Sequence, residues 1–423
     1  MSKKKDSLKP WLSRPAINRS VTLPLTRPLT QRLSNLNEFH PNELDPYLLF
    51  DARDSMIGTL ENPTLDLDPS KPDTLNVITA TRAGIATYTD PDGNIATASA
   101  DTVRVDHVDG VPMILVEPSS RNVLLYSEDF SDSYWTKNGT ASVTPNTTIS
   151  PDGTQNADTI SNATGTSTGD TVYRSINPDD VDHTFSVYVK AAGATTMSLI
   201  MRNGITGVIL SQAISLTDEW QRVTLTHNLQ NGQVIFGNSD GNFHLWGAQL
   251  ETGSVATSLI PTAGGDAAAR TRAADALEIT GSAFTDAYNQ SEGTIYTEFV
   301  PRRVDYYQHL YEFSDGSANN RINVHLESAN ARFYLTSGGT VYANTIAATN
   351  VTTGELHRTG FSYKTNDAPA SFDGSTEITD TTVTVPSGID KVFLGALYTQ
   401  ANDFYLNGHI KRLIYWPYHS DSL

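Results

Sequence analysis

Aromatic side chains beside polar ones are the residues of this sequence best suited to binding a ligand. A ring can bind the apolar C–H face of a sugar while amide and carboxylate neighbours bind its hydroxyl groups. Four rings in the middle of the chain are candidates for such contacts: Tyr134, Tyr173, Tyr188 and Trp246. The three tyrosines are predicted to face solvent, as sugar contact requires. Trp246 lies inside the apolar segment FHLWGAQLE, so a core position is the alternative for it.

An alternating pattern separates the two faces of the strand predicted in HTFSVYVKAAG, residues 183–193. Successive side chains of a strand point to opposite faces. The face predicted to be core holds Phe185, Val187 and Val189. Tyr188 falls on the other face. Trp220, inside another apolar segment, is predicted to be core because a tryptophan there more often fills space than binds a ligand, and the same is predicted for Trp135.

Signatures of catalysis are weak, and we predict that the protein is not an enzyme. Residues 165–169 read G-T-S-T-G, but the segment lacks the preceding strand and the following helix that a nucleophile motif of the form G-x-S-x-G needs. The ten histidines form no H-E-x-x-H zinc motif, and no G-x-x-x-x-G-K phosphate loop is present. Paired carboxylates for glycoside cleavage remain the enzymatic alternative, although no E-x-D-x-E strand appears.

The composition favours strands as the elements that position these side chains. Hydrophobic residues make up 38% of the 423 residues and charged residues 18%, with 18 tyrosines and 14 phenylalanines. Aromatic residues together with abundant Thr, Val and Gly favour strands and turns, and the length suggests two or three domains. The absence of cysteine excludes disulfides and thiolate metal sites. No apolar run is long enough for a membrane span and the N-terminus lacks the apolar core of a secretion signal, so we expect synthesis in a cytoplasm without membrane insertion.

The first 35 residues differ in charge from the rest of the chain. Eight basic side chains and one acidic one give residues 1–35 a net charge of +7, which leaves −25 for the remainder of a chain of net charge −18. Four prolines interrupt the short apolar pieces of this segment, so an extended conformation is predicted. We expect an arm that anchors on other subunits, with a solubilising tail as the alternative. Nucleic acid is not expected as a partner, because the acidic body would oppose a phosphate backbone.

Residues 36–118 are predicted to form a small β subdomain. Asp92-Gly93 and Asp109-Gly110 each separate two alternating segments, which is typical of β-hairpins. Asp90 and Asp92 are interpreted as turn residues, because the chain lacks the glutamate that completes an EF-hand loop.

Residues 119–263 resemble a carbohydrate-binding jelly roll of bacteriophage tail and head-fibre proteins. The resemblance begins in LVEPSSRNVLLYSEDFSDSYWTKNG and SPDG and continues through HTFSVYVKAAG, DEWQRVTLT and FHLWGAQLETGSVATSLIPT. The segment RAGIATYTDPDG ahead of it resembles an element that often precedes this jelly roll in the same proteins. The resemblance implies a β-sandwich that binds sugars.

A calcium site is implied by the same resemblance. In such jelly rolls an acidic start of the first strand region meets an acid near the end of the last strand, and the corresponding residues here are Glu128, Asp129 and Glu251. Hard carboxylate oxygens suit Ca²⁺, which would be structural. The chain departs from the family pattern at Ala248 and Gln249, where aspartates are more usual.

A second sandwich is predicted over residues 275–423, after a linker at residues 264–274. Short strands at roughly 12-residue spacing, separated by turns, indicate a sandwich. The segments FDG, FLGA and GHIKRLIYWP resemble parts of a concanavalin-like or laminin-G-like jelly roll. The predicted fold class is therefore all-β, with two jelly-roll sandwiches in tandem, a small N-terminal β subdomain and an extended N-terminal arm.

Together these resemblances imply a phage virion protein, assembled in the host cytoplasm, that displays sugar-binding jelly rolls for attachment to host surface glycans. The arm would contact other virion proteins, and a homo-oligomer is expected, with a trimer favoured. A decoration or connector protein without a ligand is the first alternative, and a polysaccharide depolymerase is the second. The sequence does not distinguish head from tail, nor does it identify the glycan.

Overall fold

The computed structural model describes residues 60–263, 271–305, 307–421 and 423. The predicted arm, the first part of the 36–118 segment and most of the predicted linker lie outside the described residues. Strands and turns dominate the described part, where the α-helical element α1 spans only Ser282–Thr285. Two short 3-10 helices occupy Pro72–Leu75 and Asn402–Phe404. All named strand pairs are antiparallel, so the all-β prediction is confirmed.

Within the described residues, seven strands precede the first sandwich. They are β1 Leu65–Leu67, β2 Thr79–Thr81, β3 Ala86–Thr89, β4 Ile95–Ala98, β5 Val105–Val108, β6 Val111–Val116 and β7 Ser120–Arg121. The predicted turns at Asp92-Gly93 and Asp109-Gly110 separate β3 from β4 and β5 from β6, and both pairs are hairpins.

The first sandwich contains ten strands in two sheets. They are β8 Thr136–Asn138, β9 Ser142–Thr148, β10 Ala157–Ser161, β11 Thr171–Ser175, β12 Asp182–Ala191, β13 Thr196–Arg202, β14 Ile209–Ser215, β15 Gln221–Asn228, β16 Gln233–Gly237 and β17 Phe243–Thr252. Sheet I has the order β15-β12-β17-β10-β9, and sheet II has the order β14-β13-β16-β11-β8.

The core between sheets I and II is built as the alternating pattern predicts. Phe185, Val187 and Val189 of β12 are fully buried there, so their predicted core position is confirmed. Trp135 is 1% exposed and packs against Phe236 with ring centroids 5.7 Å apart. Its indole Nε1 donates a hydrogen bond to the carbonyl oxygen of Tyr126 at 3.0 Å, which satisfies the one polar atom of the ring.

Trp220 is not a core residue, and that prediction is wrong. It immediately precedes β15 rather than lying within it, and its side chain is only partly buried. Its Nε1 donates to the carbonyl oxygen of Ile149 at 2.9 Å, and its ring lies 6.3 Å from that of His244. The apolar segment around Trp220 therefore did not reveal that the strand begins one residue later.

The second sandwich follows after β18 Thr271–Arg272. Its strands are β19 Ala276–Thr280, β20 Gly293–Pro301, β21 Gln308–Ser314, β22 Arg321–Glu327, β23 Asn330–Ser337, β24 Thr340–Thr349, β25 His357–Tyr363, β26 Ala368–Phe372, β27 Ile378–Asp380, β28 Lys391–Leu394 and β29 Gly408–Trp416. Sheet III has the order β27-β26-β25-β20-β29-β6-β5, with β1 also paired to β29, and sheet IV has the order β2-β19-β28-β21-β22-β23-β24.

Strands from residues 60–118 complete the second sandwich, although they precede the first one in the chain. In sheet III, Ile114 of β6 pairs with Ile410 of β29. In sheet IV, Ala80 of β2 pairs with Leu277 of β19. The first sandwich is thus inserted between strands of the second. The domain boundaries at residues 35, 118, 263 and 274 stay predictions.

The β3–β4 hairpin packs instead on the first sandwich. The amide of Ile95 donates to the carbonyl oxygen of Pro151 at 2.8 Å, and the Thr87 hydroxyl donates to the carbonyl oxygen of Leu259 at 2.6 Å. The segment ahead of the first sandwich therefore contacts both sandwiches.

A buried arginine–carboxylate cluster joins the two sandwiches, and it consists of Arg82, Arg104, Glu117, Arg272 and Asp275. Arg104 contacts Glu117 at 2.7 Å and also donates to Asp275. Arg82 contacts Asp275 at 2.9 Å. Glu117 also accepts from the amide of Ser258, at the end of the first sandwich, at 2.7 Å. Burial alone would raise the pKa of Glu117, but nearby arginines outweigh it and hold that pKa well below its usual value.

Candidate functional site

Tyr134 lies at one end of the first sandwich, where its ring is already occupied. The guanidinium carbon of Arg174 is 3.8 Å from the centre of the ring. The rings of Trp135 and Tyr126 lie 5.7 and 5.9 Å away. A sugar could stack here only if Arg174 moved, so this predicted contact residue is poorly placed for a ligand.

Tyr188 and Trp246 are neighbours on the outward face of sheet I, with ring centroids 5.5 Å apart. Trp246 is 1% exposed because Leu259, Ala157 and the β3–β4 hairpin residue Ile95 pack around it. The guanidinium of Arg222 lies 5.5 Å from the ring of Tyr188. The hairpin therefore covers the face on which these two predicted contact residues lie.

Tyr173 lies on the outward face of sheet II, which pairs with no other sheet of the described structure. Residues that are hydrogen-bonded neighbours across the five strands form one row, namely Thr136, Tyr173, Ile235, Ile200 and Ser211. Ile200 and Ile235 point away from the core, yet each is only 1% exposed. The two isoleucines are therefore buried, and the part of the row that solvent reaches is the half-buried Tyr173 ring together with Thr136 and Ser211. We call this surface the Tyr173 face.

Polar groups lie on both sides of this row. On one side, the Gln233 amide donates to the Ser175 hydroxyl at 3.1 Å, and Arg202 is the next residue across the sheet. On the other side, the Asn238 amide donates to the Ser198 hydroxyl at 3.1 Å. An aromatic ring, amides, hydroxyls and a guanidinium are groups that bind the C–H and O–H surfaces of a sugar.

The G-T-S-T-G segment, residues 165–169, closes one end of the Tyr173 face. The backbone N–H of Asn238 donates to the carbonyl oxygen of Gly165 at 2.6 Å. A Cβ on Gly237 would lie 2.2 Å from that same oxygen, so only glycine allows this approach. The segment is a turn between β10 and β11 without a helix, and its serine is not held on the strand-to-helix bend of a hydrolase nucleophile.

Two of the three predicted calcium ligands are occupied by donors from the protein. Glu251 is fully buried and accepts from the Ser120 hydroxyl at 2.6 Å, the Gln249 amide at 2.6 Å and the Thr257 amide at 3.0 Å. Asp129 accepts from the amide and hydroxyl of Ser131 at 3.0 and 2.6 Å, as a turn residue does. Gln249, where the family pattern has an aspartate, thus supplies a donor where a ligand would be needed.

The third predicted ligand, Glu128, lies near Asp152 instead. Burial, and then the negative charge of Asp152, raise the pKa of Glu128 to about 7. The three predicted ligands do not form one site. Within the described ranges, the group with the spacing of metal ligands is Asp367, His419 and Asp421. The Lys364 ammonium already lies 3.3 Å from both of these aspartates.

A buried polar cluster on the outward face of sheet IV was missed at the level of sequence. Asn323 donates its amide to Glu312 at 3.2 Å, and its side-chain oxygen lies 2.9 Å from Nδ1 of His325. The rings of His325 and His309 stack with centroids 5.0 Å apart. The Tyr398 amide donates to Glu312 at 3.2 Å from above the sheet. The polar residues at alternate positions of RINVHLE could have indicated that one face of this strand carries a polar cluster.

The titrating groups of this cluster are shifted toward their neutral forms. Burial raises the pKa of Glu312 to about 7, although Arg321 acts in the opposite direction. Burial also lowers the pKa of His325 to about 4. Because the four side chains of the cluster are each no more than 6% exposed, we interpret it as a polar layer of the fold and not as an open site.

No protein-family model matches this sequence, and a comparison with curated proteins finds no match. No helix in the described part of the chain has the length and apolar character needed to cross a membrane.

Several solved structures are similar to part of the chain. A sialidase NanB from Streptococcus pneumoniae is 20% identical over 34% of this chain, with a TM-score of 0.30. A CBM40 module of a Ruminococcus gnavus sialidase, bound to sialyllactose, is 16% identical over 33%, with a TM-score of 0.29. A Clostridium thermocellum xylanase with a CBM22 module is 17% identical over 33%, with a TM-score of 0.24.

The match covers 25% of the NanB chain, 83% of the CBM40 module and 29% of the xylanase chain. This chain therefore spans about a quarter of the pneumococcal sialidase that it matches. At TM-scores below 0.5, these likenesses carry no functional inference for this chain.

Proposed function

We propose that this protein binds glycans without cleaving them, and that the Tyr173 face is the binding surface. The observation that carries the proposal is the combination of a half-buried tyrosine with flanking amides, hydroxyls and a guanidinium on the outward face of sheet II. The other three predicted rings are capped or covered by the rest of the chain. Tyr173 is therefore the predicted sugar-contact residue that fits best.

The affinity of one such site is expected to be low, because a shallow face buries little of a sugar. Linking several copies raises the apparent affinity by roughly 10² to 10⁴ without any new contact. An attachment protein that acts through many copies has no need of a deep pocket.

We further propose that the protein is a component of a bacteriophage virion that attaches the particle to host surface glycans. This rests on the resemblance of residues 119–263 to jelly rolls of tail and head-fibre proteins and on the contrast between a +7 arm and a −25 body. The arm would bind other virion proteins, since an extended basic segment complements acidic subunits.

Replacement of Tyr173 by alanine should weaken binding at least about tenfold, a loss of about 1.4 kcal/mol per site. The measurement is a glycan array probed with multivalent protein, followed by titration of the best glycan. Tyr173→Phe keeps the ring and should retain most of the binding. Tyr307→Ala, an exposed tyrosine in the second sandwich, is the control for a general effect of removing surface rings.

Three results would contradict this proposal. Unchanged binding by Tyr173→Ala would exclude the Tyr173 face. Release of oligosaccharides from host polysaccharide would show that the protein is a depolymerase. Absence of binding to every glycan tested, including host surface polysaccharide, would favour a decoration protein without a ligand.

Deletion of residues 1–35 should leave a folded, soluble body but abolish incorporation into particles. The strands and cores described above begin after residue 60, so neither sandwich requires the arm. Thermal unfolding of the truncated protein, together with its content in purified particles, tests both halves of this expectation. Normal incorporation of the truncated protein would contradict an anchoring role for the arm.

A further inference from the structure

The strand β14 is an unprotected edge of sheet II. It pairs with β13 on one side and, within the described chain, has no strand on the other. Such an edge presents free backbone donors and acceptors to solvent. Its flanking turn, residues 203–208, packs on the turn at residues 228–231, as the hydrogen bond from the Gly204 amide to the Gln230 carbonyl oxygen shows.

Exposed apolar side chains concentrate at the same place. Four large ones lie on β14 and the turn before it: Ile205, Val208, Ile209 and Leu210. A fifth, Val181, precedes β12 and accepts a hydrogen bond from the Leu229 amide of the neighbouring turn. Ile205 is 63% exposed and Val208 51%. Contiguous exposed apolar surface on a soluble protein commonly marks an interaction site.

Other sheet edges of the described structure carry features that discourage pairing. β9 contains Pro145, and β15 contains Arg222. β8 and β27 are only three residues long. The long edge strand β24 lies against β26 and β27 of the facing sheet. β14 contains no proline and no charged side chain and is seven residues long, and it contacts the facing sheet through β15.

The charge distribution points to a second copy of this chain as the partner. Two bodies of strongly negative charge repel each other over most of their surfaces. Residues 203–217 contain no charged side chain, so two copies can approach along this segment with the least repulsion. Asp179 and Asp180 adjoin Val181 beyond the end of the strand, which places the most favourable approach at the middle of β14.

We propose that two copies of this chain associate by antiparallel pairing of β14 with itself, about a two-fold axis that passes near Gln212. Ile209 of each copy then lies opposite Ser215 of the other. A two-fold contact is self-complementary, because the same residues supply both sides. It differs from the trimer expected from the sequence, which would need a different contact.

The pairing also has a geometric result, which rests on the proposed function of the Tyr173 face. A two-fold axis perpendicular to the joined sheet keeps both outward faces on one side. Tyr173 lies on the fourth strand from the edge, so the two Tyr173 rings would be separated by seven strand spacings of about 4.8 Å, or roughly 34 Å along the sheet. Both faces could then engage one glycan-covered surface.

A single introduced cysteine provides the sharpest test, since the chain has no cysteine of its own. Residues directly opposite in an antiparallel pair have Cα atoms about 4.5 to 5.5 Å apart, within the range of a disulfide. Full-length Gln212→Cys should therefore form a covalent dimer under mild oxidation, seen on a non-reducing gel. Gln155→Cys, an exposed position of the same sandwich, is the matched control and should stay monomeric.

Sedimentation velocity of the full-length chain across a concentration series gives the second measurement. The native chain should associate, and the double variant Ile209→Lys with Ala213→Lys should do so at least about tenfold more weakly. Both side chains are exposed, so the variant should melt as the native chain does. Ile149→Lys, another exposed isoleucine, should leave association unchanged.

A native chain that stays monomeric at every concentration would overturn the proposal. So would association that the lysines do not weaken, or cross-linking at Gln155→Cys as efficient as at Gln212→Cys. Glycan binding by the native chain, measured over the same concentration series, separates the two ideas. Association without glycan binding would refute the proposed function and leave the interface in place.

Discussion

Replacement of Arg104 by methionine is expected to lower the free energy of unfolding by about 3 to 5 kcal/mol, the usual cost of removing one partner from a buried ion pair. The guanidinium of Arg104 contacts both Glu117 and Asp275, and all three side chains are at most 1% exposed. Methionine keeps much of the volume but leaves two buried carboxylates short of a cation. Denaturant unfolding monitored by tryptophan fluorescence measures the change.

The matched control for this variant is Arg303→Met. Arg303 pairs with Asp305, whose side chain is 57% exposed. An exposed pair contributes roughly 0 to 1 kcal/mol, so this change should be small. Equal effects of the two replacements would show that the arginine–carboxylate cluster is not the source of the loss.

The second large effect that we expect is a loss of stability when Glu312 ionises, because burial disfavours the charged form of this side chain. The folded chain holds the Glu312 proton up to a pKa of about 7, whereas an unfolded glutamate loses it near its ordinary value of 4.5. Between these two values the folded state binds more protons, so rising pH destabilises it. The full difference amounts to about 3 kcal/mol and is complete above the folded pKa.

The variant Glu312→Gln isolates this contribution. The pKa of His325 is lowered to about 4, so the folded state binds fewer protons at this residue than the unfolded state does. Its contribution to the free energy of unfolding therefore increases with pH, opposite to that of Glu312 and over much of the same pH interval. The informative quantity is therefore the stability of Glu312→Gln minus that of the native chain. It should rise by about 3 kcal/mol between about pH 4.5 and pH 7.5. A constant difference across that interval would mean that Glu312 is ionised in the fold at its ordinary pKa.

Local sequence patterns predicted which segments form strands and hairpins better than they predicted which strands pair with each other. The alternation in HTFSVYVKAAG identified the buried face of β12, and two Asp-Gly turns identified two hairpins. The pairing of β6 with β29 joins residues almost at opposite ends of the described chain. Nothing in the period-two pattern of either strand specifies such a distant neighbour, because many strands share that pattern.

At the candidate site, too, local patterns did not predict which side chains a distant segment would cover. Tyr173 and Tyr188 were both predicted to face solvent, but the structure covers only the face of Tyr188 with another segment. The difference arises because the β3–β4 hairpin packs on one sheet and not on the other. The cluster around Glu312 was missed for a related reason: a buried carboxylate on an outward sheet face depends on the segment that folds over it, here through the Tyr398 amide.

The insertion of one sandwich within the other has a consequence for synthesis on the ribosome. The first sandwich draws its strands from one continuous stretch, so it can fold as soon as that stretch has emerged. β1 and β6 are translated before the first sandwich, yet their pairing partner β29 is translated well after it. Such long-range pairing is slow and exposes unpaired edges while it waits. A chain that terminates before β29 would therefore carry a finished first sandwich on an open second one, because the second sandwich closes only after β29 has been translated.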